Sequence, residues 1–123
     1  MDGSRTWELL DAGAFRGERL DRPGTWVVAF LADWCPFCRA LRTVLEEWET
    51  DGRFSMAVGD VTDDRSALWE VFRLEVVPTV VVFRDGAVVF RADGDLGSGL
   101  SARQLTEVRD AASGRPPRTA ARD

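Results

Sequence analysis

The sequence predicts an α/β domain: a mixed central sheet of four to five strands flanked by helices. Three observations carry that expectation. Thr25 to Ala32 is an almost unbroken apolar run, the mark of a central strand covered on both faces. Phe37, Leu41, Val44, Leu45 and Trp48 then recur at helical spacing. Farther along, Val80–Phe83 and Ala87–Phe90 flank Asp85-Gly86, a dipeptide that favours a two-residue hairpin turn.

The elements follow in order. Trp7 to Leu10 reads as an edge strand or lead-in, and Asp11 is placed to cap a short helix over Ala12–Leu20 that ends at Pro23-Gly24. The strand Thr25–Ala32 leads to a helix from Pro36 to about Thr50, stopped by Asp51-Gly52. Phe54–Val61 forms the next strand, and Asp63 or Asp64 caps a helix carrying Leu68, Trp69 and Phe72. Val76-Val77-Pro78-Thr79 opens the strand Val80–Phe83, and Ala87–Phe90 returns antiparallel to it. After a glycine-rich connection, Gly94–Gly99, the last helix spans Leu100–Ala112 with Leu105 and Val108 inward. The order is β-α-β-α-β-α-β-β-α, with parallel strands joined by helices and a closing antiparallel hairpin. Residues 114–123 carry no burial pattern and read as a disordered tail, which leaves 1–113 as a single domain.

Composition narrows the functional classes. The chain has 123 residues and a net charge of −5, which argues against a nucleic-acid partner because phosphate binding needs clustered positive charge. It has no histidine, so imidazole acid–base work, Cys–His catalysis and His–metal ligation are excluded. No apolar run approaches the roughly 18 residues of a membrane span, and Met1–Arg5 shows no signal-peptide pattern. The expectation is a cytoplasmic monomer with no membrane partner. Two cysteines are too few for a disulfide scaffold, and a reducing compartment would keep them as thiols until a substrate oxidises them.

Those two cysteines, Cys35 and Cys38, sit three apart where a strand gives way to a helix. In that setting Cys-x-x-Cys reads as a redox pair, because thiols one helical turn apart can close a disulfide with little backbone movement. The bland readings are two small buried hydrophobes or half a zinc site. Zinc takes four ligands and the chain holds no other Cys or His, so a metal would need a second chain. We therefore expect no metal and no cofactor beyond a redox-active Cys35–Cys38 disulfide. At the start of the helix, unpaired N–H groups and the positive dipole end favour an anion. Pro36 suits the first helical position because it has no N–H to leave unpaired. Cys35 is thus predicted to ionise more readily than a free thiol and to act as nucleophile. Cys38, one turn deeper, is the resolving thiol. Trp34 either shields the site with a flat apolar surface or packs in the core. Trp26, Trp48 and Trp69 lie at core-periodic positions, and Trp7 is open. Pro78 opens a strand, where a proline normally marks an edge.

Ala32-Asp33-Trp34-Cys35-x-x-Cys38-Arg39, followed about forty residues later by Val77-Pro78-Thr79 and an apolar strand closed by Asp85-Gly86, resembles the thioredoxin family. The resemblance spans roughly Trp7 to Ala112. It implies the thioredoxin fold and a thiol–disulfide oxidoreductase that reduces or exchanges disulfides in protein substrates, recharged by a reductase the sequence does not identify. It also implies a cis Pro78 facing the dithiol, with Val77 offering backbone groups to an extended substrate strand; a trans proline that only starts the strand is the plain alternative. Trp34, Pro36, Phe37, Val77, Pro78 and Gly94 are the implied substrate-binding positions, Gly94 leaving room for substrate backbone unless it serves only a turn.

Two departures from the family pattern stand out. Pro36-Phe37 replaces Gly-Pro between the cysteines and is closer to glutaredoxin, whose couples lie at roughly −200 to −230 mV against about −270 mV for thioredoxin. This predicts a less reducing potential and raises a glutathione-dependent reductase as the alternative function. A non-catalytic binding module is a further one, which the retention of both cysteines opposes. Ala29 occupies the position of the family's buried aspartate, and there is no lysine to partner one. Without a buried carboxylate as general base for Cys38, resolution should be slower or rely on water or a nearby acid, Asp33 and Glu47 being the closest in sequence.

Overall fold

The computed structural model describes residues 7–50, 52–95 and 97–114. In chain order the strands are β1 (Glu8–Leu10), β2 (Phe15–Arg16), β3 (Arg19–Leu20), β4 (Thr25–Leu31), β5 (Ser55–Asp60), β6 (Thr79–Arg84) and β7 (Ala87–Asp93). The helices are α1 (Pro36–Glu46), α2 (Ala67–Val71) and α3 (Ala102–Ala112). Apart from Gly114, the tail expected over 114–123 lies outside the described residues, as does Asp51.

Five strands form one mixed sheet in the order β1-β5-β4-β6-β7. The apolar run becomes β4 at its centre, where Val27, Val28 and Phe30 are completely buried. β5 lies parallel to β4, pairing Ala29 with Val58 and Leu31 with Asp60, and β1 runs parallel at the edge. On the other side β6 is antiparallel to β4, which differs from the expected parallel pairing. β5 ends and β6 begins at the same end of the sheet, since Asp60 pairs with Leu31 and Thr79 with Phe30. The connection carrying α2 therefore stays at that end and does not cross back along the sheet, so β6 enters running the opposite way.

The helix expected over Ala12–Leu20 is replaced by a single 3₁₀ turn, Ala12–Ala14, and a small hairpin of β2 against β3. Asp11 does cap the turn, accepting the Gly13 N–H at 2.9 Å. In a helix, Phe15 and Leu20 would point about 140° apart and could not share a buried face. Paired across the hairpin, both turn inward, and Gly17 at φ +60° permits the reversal. Phe15 then joins Phe30, Phe72 and Phe83 in a cluster with ring centroids 4.9–6.2 Å apart. Burying each such ring contributes roughly 1.5–3 kcal/mol. Gly59 makes the cluster possible, because a Cβ there would lie 2.5 Å from the Phe30 ring.

The remaining elements keep their expected places with shifted ends. α1 stops at Glu46 and tightens into a 3₁₀ turn over Glu47–Thr50 that still buries Trp48. Trp7 is also buried, whereas Trp26 and Trp69 are half-buried against the core. Ser66, not Asp63 or Asp64, caps α2 by accepting the Leu68 N–H; the Asp63 carboxylate instead accepts the Arg65 N–H. Ser is as good a cap as Asp and stands immediately before the first helical residue. Asp85 (φ +50°) and Gly86 (φ +92°) form the hairpin turn, both in the left-handed region that this turn type requires. A Ser101–Gln104 capping box starts α3 and Val108 anchors it, with Leu105 half-buried. No helix among the described residues is long and apolar enough to cross a membrane.

Candidate active site

β4 leaves the sheet at Leu31 and delivers Cys35 to the N-cap of α1, with Pro36 as the first helical residue. Cys35 keeps extended dihedrals (φ −99°, ψ 113°), so its side chain folds over the open end of the helix. Its Sγ accepts the Cys38 N–H at 3.2 Å, the place an oxygen takes in an ordinary cap. Its carbonyl accepts from Cys38 and Arg39 at 3.1 and 3.3 Å. The strand end and the helix start thus hold this sulfur from both sides.

Both cysteines are free thiols and both are buried, Cys35 at 4% and Cys38 at 2% exposure. Burial pushes the Cys38 thiol from its ordinary 9.0 up to about 12, reinforced by hydrogen bonding with the Cys35 sulfur; the Ala32 backbone and Arg39 pull the other way. Cys38 is therefore held protonated, within bonding reach of its neighbour. Facing Cys35 from across the site is the Val77 carbonyl, 3.7 Å from Sγ. The Val77–Pro78 peptide bond is cis, in agreement with the resemblance.

An apolar rim surrounds this pair. Trp34 is 57% exposed, which settles the choice between shield and core in favour of the surface. Its Nε1–H donates to the Thr62 carbonyl at 3.0 Å, while the Thr62 hydroxyl accepts the Asp33 N–H and donates to Asp60. Pro36 and Phe37 are exposed beside it. Gly94 is buried and donates its N–H to the Pro78 carbonyl at 3.0 Å. A Cβ on Gly94 would lie 2.8 Å from that oxygen and 3.2 Å from Gly99. The missing side chain therefore makes room for the chain's own backbone. Gly99 (φ +72°) in turn passes under Phe37.

Behind Cys38 opens a cleft of about 500 Å³, lined by apolar Leu9, Leu31 and Val58 and by four charged residues, Asp33, Arg39, Arg42 and Asp60. Ala29 lies under the same face of the sheet, two residues before Leu31 on β4. Asp33 and Asp60 share the cleft with the resolving thiol. Glu47 does not: it caps the far end of α1, nine residues and roughly 13 Å along the helix from Cys38. Sequence reasoning passes over Asp60 because it is remote along the chain; its signal is register, since the alternation of β5 sends Val58 and Asp60 to the same side. Among the described residues no group of three or more Cys, Asp or Glu is arranged to hold a metal ion. Of the expected site residues, Cys35, Cys38, Val77 and Pro78 converge, Trp34, Pro36 and Phe37 form the rim, and Gly94 supports Pro78 from behind.

Comparison with known proteins agrees with this geometry. The family model for thioredoxin matches residues 8–106. Thioredoxin of Mycobacterium tuberculosis is 30% identical over 106 residues, 85% of this chain and 90% of that protein. Thioredoxin of Mycolicibacterium smegmatis is 34% identical over 85 residues, 67% of this chain and 76% of its own. A bifunctional thioredoxin reductase/thioredoxin of Mycobacterium leprae is 30% identical over 104 residues, 84% of this chain but 22% of that longer protein. A solved mutant thioredoxin from Halobacterium salinarum superposes with a TM-score of 0.68 at 23% identity, covering 89% of this chain and 93% of that one, a likeness of fold. With a family match over most of its length and a dithiol at the N-cap of α1, the chain belongs to the thioredoxin family.

Proposed function

We propose that this thiol–disulfide oxidoreductase reduces or exchanges disulfides in protein substrates through Cys35 and Cys38. The observation that carries the reading is the Cys35 sulfur, capping α1 within 3.7 Å of the Val77 carbonyl while Cys38 waits protonated beneath it. The Cys35 thiolate attacks one sulfur of the substrate disulfide, forming a mixed disulfide and releasing the other as a thiolate. Cys38 then loses its proton and attacks the Cys35 sulfur, closing Cys35–Cys38 and freeing the second substrate thiol. The substrate gains two electrons and the protein loses two. Trp34, Pro36 and Phe37 supply the apolar contact surface, Val77 pairs with substrate backbone, and Pro78, backed by Gly94, holds that segment in place.

A separate reductase must return the electrons. The Mycobacterium leprae relative, which carries a thioredoxin reductase in the same chain, supports an enzyme of that kind as donor. Residues 1–113 are read as one domain of a cytoplasmic monomer, and the net charge of −5 supports a surface without a nucleic-acid partner. The family match does not favour the glutathione-dependent alternative or the non-catalytic module.

A redox titration tests the assignment together with insulin reduction. Wild-type protein should reduce insulin, turn over glutathione mixed disulfides poorly, and show a two-electron potential less reducing than about −270 mV. Replacing Pro36-Phe37 by Gly-Pro should lower that potential by roughly 30 mV, a tenfold change in the dithiol equilibrium. A titrating pair without insulin reduction would favour the binding module instead.

A further inference from the structure

The segment that presents the Val77 carbonyl is tied to β7, the edge strand, directly at one end and through Thr79 of β6 at the other. At one end the Arg91 guanidinium donates to the carbonyls of Phe72 and Arg73, the last groups of the α2 turn. Acceptors at a helix C-terminus carry partial negative charge, so a cation is well placed there. At the other end Thr79, completely buried, shares its single hydroxyl proton between the Val76 carbonyl at 3.0 Å and Asp93 Oδ1 at 3.2 Å. The two ends are joined: Arg91 Nε lies 3.0 Å from the same Asp93 oxygen. Gln104 on α3 holds the Asp93 carbonyl at 2.8 Å, so the side chain departs from a fixed backbone. Between the anchored Arg73 and the anchored Val76 lie two residues, and Val77 follows at once.

We propose that Arg91, Asp93 and Thr79 form a latch that sets the position of the Val77 backbone for extended disulfide substrates, with Asp93 as the central positioning residue. The inference rests on the oxidoreductase reading above. Asp93 touches neither sulfur; it acts through Thr79 and Arg91. A carboxylate is needed at its position because it must accept from a guanidinium and a hydroxyl at once, with no donor of its own to satisfy. Substrate strand pairing depends on this alignment, whereas attack by Cys35 on a small disulfide does not. A contact made equally in the bound substrate and the transition state shows, when lost, as a raised KM with kcat unchanged.

The test compares two substrates. In Asp93→Ala, KM for insulin reduction should rise roughly 10-fold with kcat little changed. Reduction of a small aromatic disulfide and alkylation of Cys35 should stay within about twofold of wild type. Thr79→Val, which keeps the buried volume, should reproduce the split if Asp93→Ala fails to fold, and Thr79→Ser should restore wild-type behaviour. An unchanged insulin KM, or equal losses on both substrates, would overturn the latch. Wild-type protein that reduces neither substrate would sink the oxidoreductase reading itself, a result distinct from a latch that fails alone.

Discussion

The two sulfurs stand one helical turn apart, yet each opens onto different surroundings. Cys35 faces the Val77 carbonyl and an apolar rim of Trp34 and Phe37, surfaces suited to a peptide backbone and to keeping water out. Cys38 faces inward, beside a cleft of about 500 Å³ whose walls carry Asp33, Asp60, Arg39 and Arg42. The difference divides the labour. The front receives a partner and exchanges sulfur bonds, whereas the back must dispose of a proton that burial holds tightly. A thiol held near 12 is almost wholly protonated at neutral pH, so the second step depends on where that proton can go. The charged cleft is the side from which water and a carboxylate can reach it.

Exchanging one sulfur at a time breaks this comparison most sharply. Cys35→Ser should lower disulfide reduction by roughly a thousandfold or more, since the nucleophile is removed. Cys38→Ser should accumulate a mixed disulfide with substrate at Cys35, visible as a mass adduct that dithiothreitol removes. Adducts on Cys38 in the Cys35→Ser protein at a comparable rate would mean that the front and back do not differ as described.

The back cleft is tested next. Asp60→Asn should slow resolution of the mixed disulfide by about 100-fold, the low end of what a general base contributes, while the first attack is unaffected. Asp33→Asn should act more weakly and Glu47→Gln not at all. Stopped-flow trapping separates the two steps, and resolution indifferent to Asp60 would leave the proton to solvent alone.

The smallest effect is on stability. The Cys38 pKa is raised in the folded state, so between about pH 9 and about pH 12 the folded dithiol protein binds more protons than the unfolded chain. Stability associated with that proton is complete below pH 9 and is lost as pH rises toward 12. Denaturant melts should show the reduced wild-type protein losing stability across this window, and reduced Cys38→Ala should lack that fall. Parallel curves for the two reduced proteins would contradict the burial of Cys38 as the cause of its shift.

Particular residues show why some features are readable from the chain and others are not. Cys35 and Cys38 announce themselves through local pattern: spacing, a strand before, a helix after; Pro78 is legible as a site residue only through the family resemblance. The hairpin at Asp85-Gly86 is equally local, because its turn type demands residues that tolerate positive φ. Phe15 and Leu20 mislead as helical neighbours: Phe15 packs on Phe30, Phe72 and Phe83, which lie far away in sequence, and Leu20 pairs with it across the hairpin. Asp60 is hidden for a related reason: only its pairing with Leu31 brings it to the cleft behind Cys38. Gly94 reads as room for substrate backbone or as a turn residue; that a Cβ there would meet Pro78 and Gly99 follows only from the tertiary structure.

Amino-acid order alone determined that a strand would hand a dithiol to a helix, because short-range periodicity, a proline at the first helical position and the three-residue spacing are all local quantities. Tertiary structure decided the direction of β6, the company kept by each sulfur and the anchoring of Val77. Those depend on which distant side chains share a face of the sheet, and that follows from strand register, which is set by burial across the whole core and not by any one segment.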